Sequence, residues 1–224
     1  MRITLLTIFT LALVGGLIWY FKPNTAYQQN NAILNAGKDN TEKNMEKNTE
    51  QYQIDTEQST VEWYSKKILV KTEHTGTVKI ESGFIYFDPE NLKISGEITV
   101  DMNTITDLDL PENMRQTLEK HLKSADFFEV ETYPTAKISL IGIEKTEEEN
   151  KYLIRGLLTI KETTNEISFP ANISKEGDIL KGEASLEFDR SLWNIRFGSG
   201  KFFENLGDKI IDDIIKLKIK IITL

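Results

Sequence analysis

The sequence IIKLKIKI, residues 214–221, alternates large apolar side chains with lysines. Ile215, Leu217, Ile219 and Ile221 occupy every second position. Because successive side chains of a β-strand point to opposite faces, this pattern predicts a strand with one face in a core and the other in water. Three lysines on such a strand also protect a sheet edge against pairing with another chain.

The same period-two alternation recurs from residue 52 to the end of the chain, in runs separated by Gly, Asn, Asp and Pro. This arrangement is typical of antiparallel sheets. Eight or more such strands remove their exposed edges by closing into a barrel, so the sequence predicts an all-β fold. The other predicted strands are TVEWYS (60–65), TGTVKI (75–80), GFIYFD (83–88), GEITVDM (96–102), AKISLIGI (136–143), YLIRGLLTI (152–160), NEISFPANI (165–173), LKGEASLEF (180–188) and LWNIRF (192–197).

One stretch, DLPENMRQTLEKHLKSADFF (109–128), departs from the β pattern. Met114, Leu118 and Leu122 repeat at four-residue spacing, and Pro111 suits the first turn of a helix. The spacing predicts one inserted amphipathic helix, which we expect to plug or flank one end of the barrel.

Residues 1–22 are predicted to target the membrane. Nineteen uncharged residues separate Arg2 from Lys22, and a helix of that length reaches roughly 28 Å, close to the hydrocarbon thickness of a bilayer. Length favours an N-terminal membrane anchor, whereas the Gly15-Gly16 pair and its small neighbours leave a cleaved signal peptide open. Both alternatives export the rest of the chain.

Residues 23–51 are rich in Asn, Glu and Lys and carry few large apolar groups. Such a segment buries too little surface to offset its ordering entropy, so it is predicted to be a flexible linker. The barrel domain is then expected to occupy residues 52–224, either free in the periplasm or anchored and facing it, within the cell envelope.

Charge and composition exclude several classes of function. The chain of 224 residues has a formal net charge of −8 and contains no cysteine. Without a basic face there is nothing to neutralise phosphates, so no nucleic-acid partner is expected. Without cysteine there are no disulfides, no thiolate zinc sites and no cysteine nucleophile.

His74 and His121 are the only two histidines of the chain, and neither has a second ligand at a metal-binding spacing. No metal or cofactor is expected, although a site assembled across the fold from both histidines is left open. The carboxylate pairs 107/109 and 212/213 have the spacing of ordinary solvated loops. With no Gly-x-Ser-x-Gly elbow and no phosphate loop, the sequence predicts no catalytic residues and no enzyme.

Large apolar surface is abundant, with eleven phenylalanines, seven tyrosines and three tryptophans. Small barrels usually fill with side chains, but an eight-stranded barrel is also the size that holds one small ligand. Strand alternation selects the inward side chains, except in GFIYF, where both faces are apolar. The predicted ligand-binding residues are Ile85, Phe87, Ile98, Val100, Met102, Ile154, Leu158, Phe169, Leu186, Phe188, Trp193, Ile195, Phe197, Leu217 and Ile219.

Several separated motifs, in this order, resemble the YceI-like family of exported, lipocalin-type proteins associated with polyisoprenoid binding. The motifs are YQIDTEQSTVEW (52–63), EHTGTVKIESGFIYFDPENLKISGEITVDMNTI (73–105), LEKHLKSADFFEVETYP (118–134), GLLTIKETTNEISFP (156–170), FDRSLWNIRFGSG (188–200) and LGDKIIDDIIKLKIKI (206–221). In the third motif, Phe127 and Phe128 are interpreted as packing between the helix and the next strand, so that this motif forms a structural seam and contains no active site.

The resemblance implies an elongated, lipocalin-like antiparallel barrel whose lumen binds, sequesters or transports a long isoprenoid, quinone-like or other lipid chain without catalysis. Tyr133, Arg196 and Lys201 are candidates to orient a polar head group. The expected partners are that lipid and the membrane, and a homodimer is left open. A second hypothesis is a packed barrel in the envelope that acts as a protein-interaction module. The two hypotheses differ in whether the barrel is hollow.

Overall fold

The structure is a computed structural model that describes residues 50–70 and 72–224. The predicted anchor or signal peptide and nearly all of the predicted linker lie outside these residues. Among the described residues, no helix combines the length and the apolar character needed to cross a bilayer.

Nine strands and one α-helix make up the described chain. The strands are β1 (Gln51–Gln53), β2 (Thr60–Lys66), β3 (Glu73–Asp88), β4 (Lys93–Asp107), β5 (Thr135–Lys145), β6 (Lys151–Ile160), β7 (Thr163–Glu176), β8 (Ile179–Asp189) and β9 (Ile214–Ile222). The helix α1 spans Glu112–Lys123, and short 3₁₀ turns occupy Arg190–Trp193 and Gly207–Lys209.

Strands β2 to β9 form one closed antiparallel barrel of eight strands. Each strand pairs with its sequence neighbour from β2 to β8, β9 pairs with β8, and β9 also pairs with β2 to close the ring. The short β1 adds to β3 beside the ring. The predicted all-β barrel with one inserted helix is therefore confirmed.

Strand β9 lies between β2 and β8, so the alternation of residues 214–221 does not mark an edge. Its lysines are exposed, while Ile215, Leu217 and Ile219 pack against the core. The predicted runs 75–80 and 83–88 belong to one long strand, β3, whose irregularities in register lie at Thr77/Lys79 and Ile80/Ser82.

The predicted strand LWNIRF (192–197) is wrong. The Asp189 carboxylate accepts a hydrogen bond from the Ser191 backbone N–H and starts a 3₁₀ turn, and Asn194 ends that turn in the left-handed conformation with φ of 59°. Trp193 and Ile195 are buried as in a strand, but the backbone between them reverses.

The two ends of the barrel differ in their connections. The helix end carries the β2–β3 loop, the β4–β5 connection with α1, the short β6–β7 turn, and the long connection 190–213 between β8 and β9. The far end carries the β3–β4, β5–β6 and β7–β8 turns, which are all short. At the helix end, α1 packs beside β4, and none of its residues is fully buried.

Candidate functional site

The barrel encloses an apolar cavity of about 160 Å³ in the half nearer the helix end, the first cavity. Inward side chains from β2, β3, β4, β5, β6, β8 and β9 line it, and Leu122 of α1 contributes as well. The residues that line it are Val61, Trp63, Ser65, Val78, Ile98, Val100, Met102, Ile105, Leu122, Phe127, Phe128, Ala136, Lys137, Ile138, Leu158, Ile160, Leu186, Phe188, Arg190, Ile195, Ile211, Ile215, Leu217 and Ile219.

A second cavity of about 70 Å³ occupies the half nearer the far end. Ile85, Ile94 and Leu140 are among the side chains that line it. Three isoleucines, Ile98, Ile138 and Ile219, line both cavities and therefore stand between them. We call these three residues the partition.

An aromatic cluster covers the first cavity at the helix end. The Phe127 ring lies 5.3 Å from the Phe197 ring and 5.0 Å from the His121 ring, measured between centroids. His121 also stands edge-on to Phe197 at 4.4 Å. The His121 side chain thus packs among aromatic rings, with Asp126 at 3.5 Å from Nε2. This packing agrees with the interpretation of 121–134 as a structural seam.

Arg190 is the buried cation of the site and fixes the long connection between β8 and β9. Its guanidinium donates hydrogen bonds to the backbone carbonyls of residues 195, 197, 211 and 212, at 2.9 to 3.4 Å. The Asp213 carboxylate lies 3.1 Å from Nη2. Burial lowers the pKa of Arg190, and the neighbouring carboxylates, Asp213 foremost, oppose that shift. Through these contacts the guanidinium holds the loop in place.

Twelve of the fifteen predicted ligand-binding residues line one or both cavities. Those at the first cavity are Ile98, Val100, Met102, Leu158, Leu186, Phe188, Ile195, Leu217 and Ile219. Those at the second are Ile85, Ile154 and Phe169, together with the shared Ile98 and Ile219. Ile85 is buried, which resolves the choice of face that the sequence left open in GFIYF. That these residues bind a ligand stays a prediction.

Three predicted residues lie outside both cavities. Phe87 is buried and packs edge-on against Tyr152, with the ring centroids 6.0 Å apart. Trp193 packs against Phe188 at 5.2 Å and donates its indole N–H to the Leu158 carbonyl. Phe197 is 40% exposed on the outside of the aromatic cluster, because the backbone reversal at 194 removes it from the inward face.

Sequence reasoning missed the contributions of β2 and β5 and the polar groups of the lining. From β5, Ala136, Ile138 and Leu140 line the cavities. Val61, Trp63 and Ser65 share one face of β2, and Arg190 continues the inward positions of Leu186 and Phe188. The alternation of inward and outward side chains along β2 and β8 would have identified these four residues. The three head-group candidates do not line either cavity: the guanidinium of Arg196 stacks on Phe202, Lys201 pairs with Asp189, and Tyr133 is hydrogen-bonded to Glu162.

The carboxylate pair 107/109 does not form the solvated loop that its spacing suggested. Asp107 is fully buried, and His74 lies beside both carboxylates. Burial alone would raise the pKa of Asp109, but hydrogen bonds from the Thr75 N–H and from His74 outweigh it, so the pKa of this carboxyl lies below its usual value. This cluster is separate from the apolar cavities, since none of its three residues lines them.

Solved structures with this barrel include two that cover most of the described chain. BcnA of Burkholderia cenocepacia has a TM-score of 0.58 and is 24% identical, with 76% of this chain and 99% of that one covered. A polyisoprenoid-binding domain from Saccharophagus degradans, implicated in plant cell wall breakdown, has a TM-score of 0.56 at 11% identity, covering 77% and 97%. At these identities the likeness shows the fold.

Sequence relatives match over shorter segments. A UPF0312 protein of Photorhabdus laumondii is 31% identical over 134 residues, which are 60% of this chain and 66% of the relative. Protein YceI of Escherichia coli is 32% identical over 103 residues, 46% of this chain and 50% of that protein. The chain thus spans between half and two thirds of these relatives. The YceI-like domain family matches residues 52–223, the whole barrel, and the chain belongs to that family.

Proposed function

We propose that the barrel binds one long apolar chain, a polyisoprenoid or a quinone-like lipid, along its axis and carries or sequesters it without chemical change. The observation that carries this proposal is the pair of apolar cavities inside one closed barrel, with the partition residues lining both. The polyisoprenoid-binding domain that shares the fold supports the choice of ligand.

The cavity volumes set a condition on this function. An engineered apolar cavity of about 150 Å³ holds a ligand as small as benzene, so the first cavity alone accommodates only a fragment of a lipid. A long chain therefore has to pass the partition and occupy both cavities. Isoleucine side chains change rotamer at modest cost, so displacing Ile98, Ile138 and Ile219 would join the cavities into one tunnel.

Apolar contact alone supplies enough affinity for such a ligand. The two cavities together measure about 230 Å³, so a chain of roughly forty carbons also requires the lumen to widen beyond the displaced partition. With the whole chain enclosed, about 0.3 kcal/mol per heavy atom for large ligands gives about 12 kcal/mol, which corresponds to nanomolar binding. No charged pocket is needed for the chain itself. A head group would remain near the aromatic cluster, where the lumen meets solvent.

We place the access route at the helix end. Most of the exposed large apolar side chains lie in its connections, whereas the far-end turns expose Leu92 and the nearby ends of strands expose Ile179 and Leu224. An apolar rim favours transfer of a lipid from a membrane surface. The helix-end residues are Ile68, Leu69, Val70, Leu108, Met114, Leu192, Phe197, Phe202 and Phe203.

The cell envelope is the proposed setting, with residues 1–22 as anchor or export signal and 23–49 as the tether. The apolar run at 3–21 and the polar composition that follows it support this placement. A barrel on a flexible tether could approach the membrane with its helix end and collect a lipid there.

A second candidate function is a packed barrel that binds a protein partner. The observation in its favour is that the partition already divides the lumen, while Phe202 and Phe203 stand exposed on the loop 198–207. In that case the cavities would be packing defects and the exposed aromatic side chains would form the interface.

The test is native mass spectrometry of the full chain purified in mild detergent from a membrane-containing host, followed by organic extraction. Two tryptophan variants on adjacent positions of β9 provide the comparison: Ile219→Trp fills the partition, whereas Lys218→Trp adds the same side chain on the exposed face.

We expect a stoichiometric apolar species of several hundred daltons on the parent and on Lys218→Trp, and its loss from Ile219→Trp. A bare mass for the parent, unchanged after incubation with isoprenoid quinones and polyprenyl lipids, contradicts lipid carriage and favours the interaction module. Thermal unfolding of both variants shows whether the barrel stays folded.

A further inference from the structure

We propose that His74, Asp107 and Asp109 form a binding site for one divalent transition-metal cation, with zinc the best match. The sequence alone predicted no metal, because one histidine and a carboxylate pair lie more than thirty positions apart. The fold brings them together where β3 starts and β4 ends. This site lies outside the lipid-binding lumen and is independent of the function proposed for it.

The geometry converges on one point. One ligand atom from each of the three residues lies within 4.8 Å of the others. His74 Nδ1 is 3.1 Å from Asp109 Oδ2 and 3.8 Å from Asp107 Oδ2. In a tetrahedral site with bonds of about 2.0 Å, the ligand atoms stand about 3.3 Å apart. Small side-chain adjustments therefore suffice to coordinate an ion.

Asp107 provides the observation that points to a ligand. Its side chain is fully buried, and Oδ2 has no hydrogen-bond partner although it is directed at His74. Its other oxygen, Oδ1, accepts hydrogen bonds from the backbone N–H groups of Asp109 and Leu110 at 3.2 and 2.8 Å. A buried carboxylate oxygen without a partner is costly, and a bound cation removes that cost.

The donor set indicates which cation. Two carboxylates bring two negative charges, which a divalent ion neutralises. An imidazole nitrogen favours zinc and neighbouring transition metals over magnesium and calcium, which prefer oxygen ligands. Three protein ligands leave the fourth position of a tetrahedral zinc ion to water.

The surroundings hold the carboxylates in place. The Asp107 backbone N–H donates to Glu119 Oε1 at 3.1 Å, and Asp109 Oδ1 accepts from the Thr75 N–H at 2.7 Å. Such outer contacts orient metal ligands. The side chains of His74 and Asp109 are 23% and 34% exposed beside an open groove, so a cation reaches the site from solvent.

The experiment measures zinc binding to the full chain in mild detergent, purified with a histidine-free tag and stripped with chelator. Calorimetric titration with zinc chloride gives affinity and stoichiometry, and the visible spectrum of the cobalt-loaded protein reports coordination. His74→Ala and Asp107→Asn remove ligands. His121→Ala is the matched control, because it removes the other histidine, which also lies beside one carboxylate.

We expect one zinc per chain for the parent and for His121→Ala, with affinity weakened roughly a hundredfold or more in His74→Ala and Asp107→Asn. His74 is partly exposed, so its variant carries the test if Asp107→Asn does not fold. The proposal is overturned if the parent binds no zinc at micromolar concentration. It is equally overturned if His74→Ala keeps the affinity of the parent or if His121→Ala loses as much.

Discussion

The far end and the helix end of the barrel close in different ways. Short turns connect the strands at the far end, and each turn is fixed by its own residues. In the β3–β4 turn the Asp88 carboxylate accepts hydrogen bonds from the Glu90 and Asn91 N–H groups, and Leu92 takes a positive φ of 49°. In the β7–β8 turn Gly177 has φ of 60°.

The helix end closes through contacts between residues far apart in sequence. The guanidinium of Arg190 holds the carbonyls of a loop that runs to residue 212, and Phe127 meets Phe197 across seventy positions. The turns of the far end are thus held by local contacts, although β1 and the C-terminal residues add contacts between distant parts of the chain there. The long connection at the helix end depends on tertiary contacts instead. Because Arg190 alone holds four carbonyls of that connection, removing its side chain should destabilise the protein more than removing a side chain from a far-end turn. The helix end also carries the apolar rim and the proposed metal site.

The largest effect is expected for Arg190→Met, which removes the donor for four backbone carbonyls and leaves Asp213 without its cation. Breaking a buried ion pair from one side costs about 3–5 kcal/mol. Urea unfolding should show a loss of that size. Arg196→Met, the same change at an exposed position of the same connection, should stay within about 0.5 kcal/mol. Equal losses would mean that Arg190 does not organise this end.

A smaller loss is expected for Gly76→Ala. A methyl group at Gly76 would overlap the Thr106 carbonyl oxygen and the Trp63 ring, both parts of the barrel wall near the helix end. Overpacking of this kind costs typically about 1–3 kcal/mol. Gly182→Ala is the control in the far-end half, since its methyl would meet only Ile221, at an ordinary 3.8 Å. The free energy of unfolding from denaturant titration should separate the two variants.

The same contrast explains how far the sequence predicted this fold. The alternation in residues 180–188 correctly predicted a strand and its inward face, because successive side chains of a regular strand point to opposite faces of the sheet. It failed at 192–197, where Trp193 and Ile195 are buried by contacts with Leu158 and Arg190 from outside the segment. Alternation cannot distinguish such a loop from a strand.

The candidate sites follow the same rule. Eleven cavity-lining residues were predictable from strand alternation, since a closed barrel turns every second strand residue inward. The twelfth, Ile195, lines the first cavity from the loop that was wrongly predicted as a strand. The partition was not predictable, because three strands bring Ile98, Ile138 and Ile219 to one level only through their register. The cluster of His74 with Asp107 and Asp109 depends on the pairing of β3 with β4, which the spacing of its residues does not reveal.

A change in ligand preference tests whether the partition controls passage between the two ends. Ile98→Ala removes one partition side chain, while Val100→Ala truncates a residue on the same strand that lines the first cavity alone. In Ile98→Ala a long lipid chain no longer has to displace that side chain. The affinity of the protein for a long chain, divided by its affinity for a short chain, should therefore rise by up to about tenfold. Fluorescence competition with polyprenyl lipids of two lengths measures the ratio. A similar rise in Val100→Ala would show that the partition does not control passage.

The smallest effect concerns one ion pair at each end. Asp189 at the helix end is half-buried; burial would raise its pKa, but hydrogen bonds from Lys201 and Ser191 outweigh it and lower the pKa below its ordinary value. Because this pKa is lowered in the folded state, the ionised carboxylate stabilises the folded protein at every pH above the unfolded pKa of about 3.9. That stabilisation is lost as pH falls through the lower pKa of the folded state. Asp189→Asn should therefore be less stable than the parent at pH 7, and the two stabilities should converge as pH falls through the lowered pKa of Asp189.

Glu50 at the far end supplies the matching test. Its carboxylate lies 2.7 Å from the Lys175 ammonium, but the pair is exposed, so solvent screens it and Glu50→Gln should leave stability unchanged across the same pH series. Thermal unfolding from pH 2.5 to 7 compares both variants with the parent. An equal loss of stability in Glu50→Gln and Asp189→Asn would contradict this expectation. It would mean that an exposed ion pair stabilises the far end as strongly as a partly buried pair stabilises the helix end.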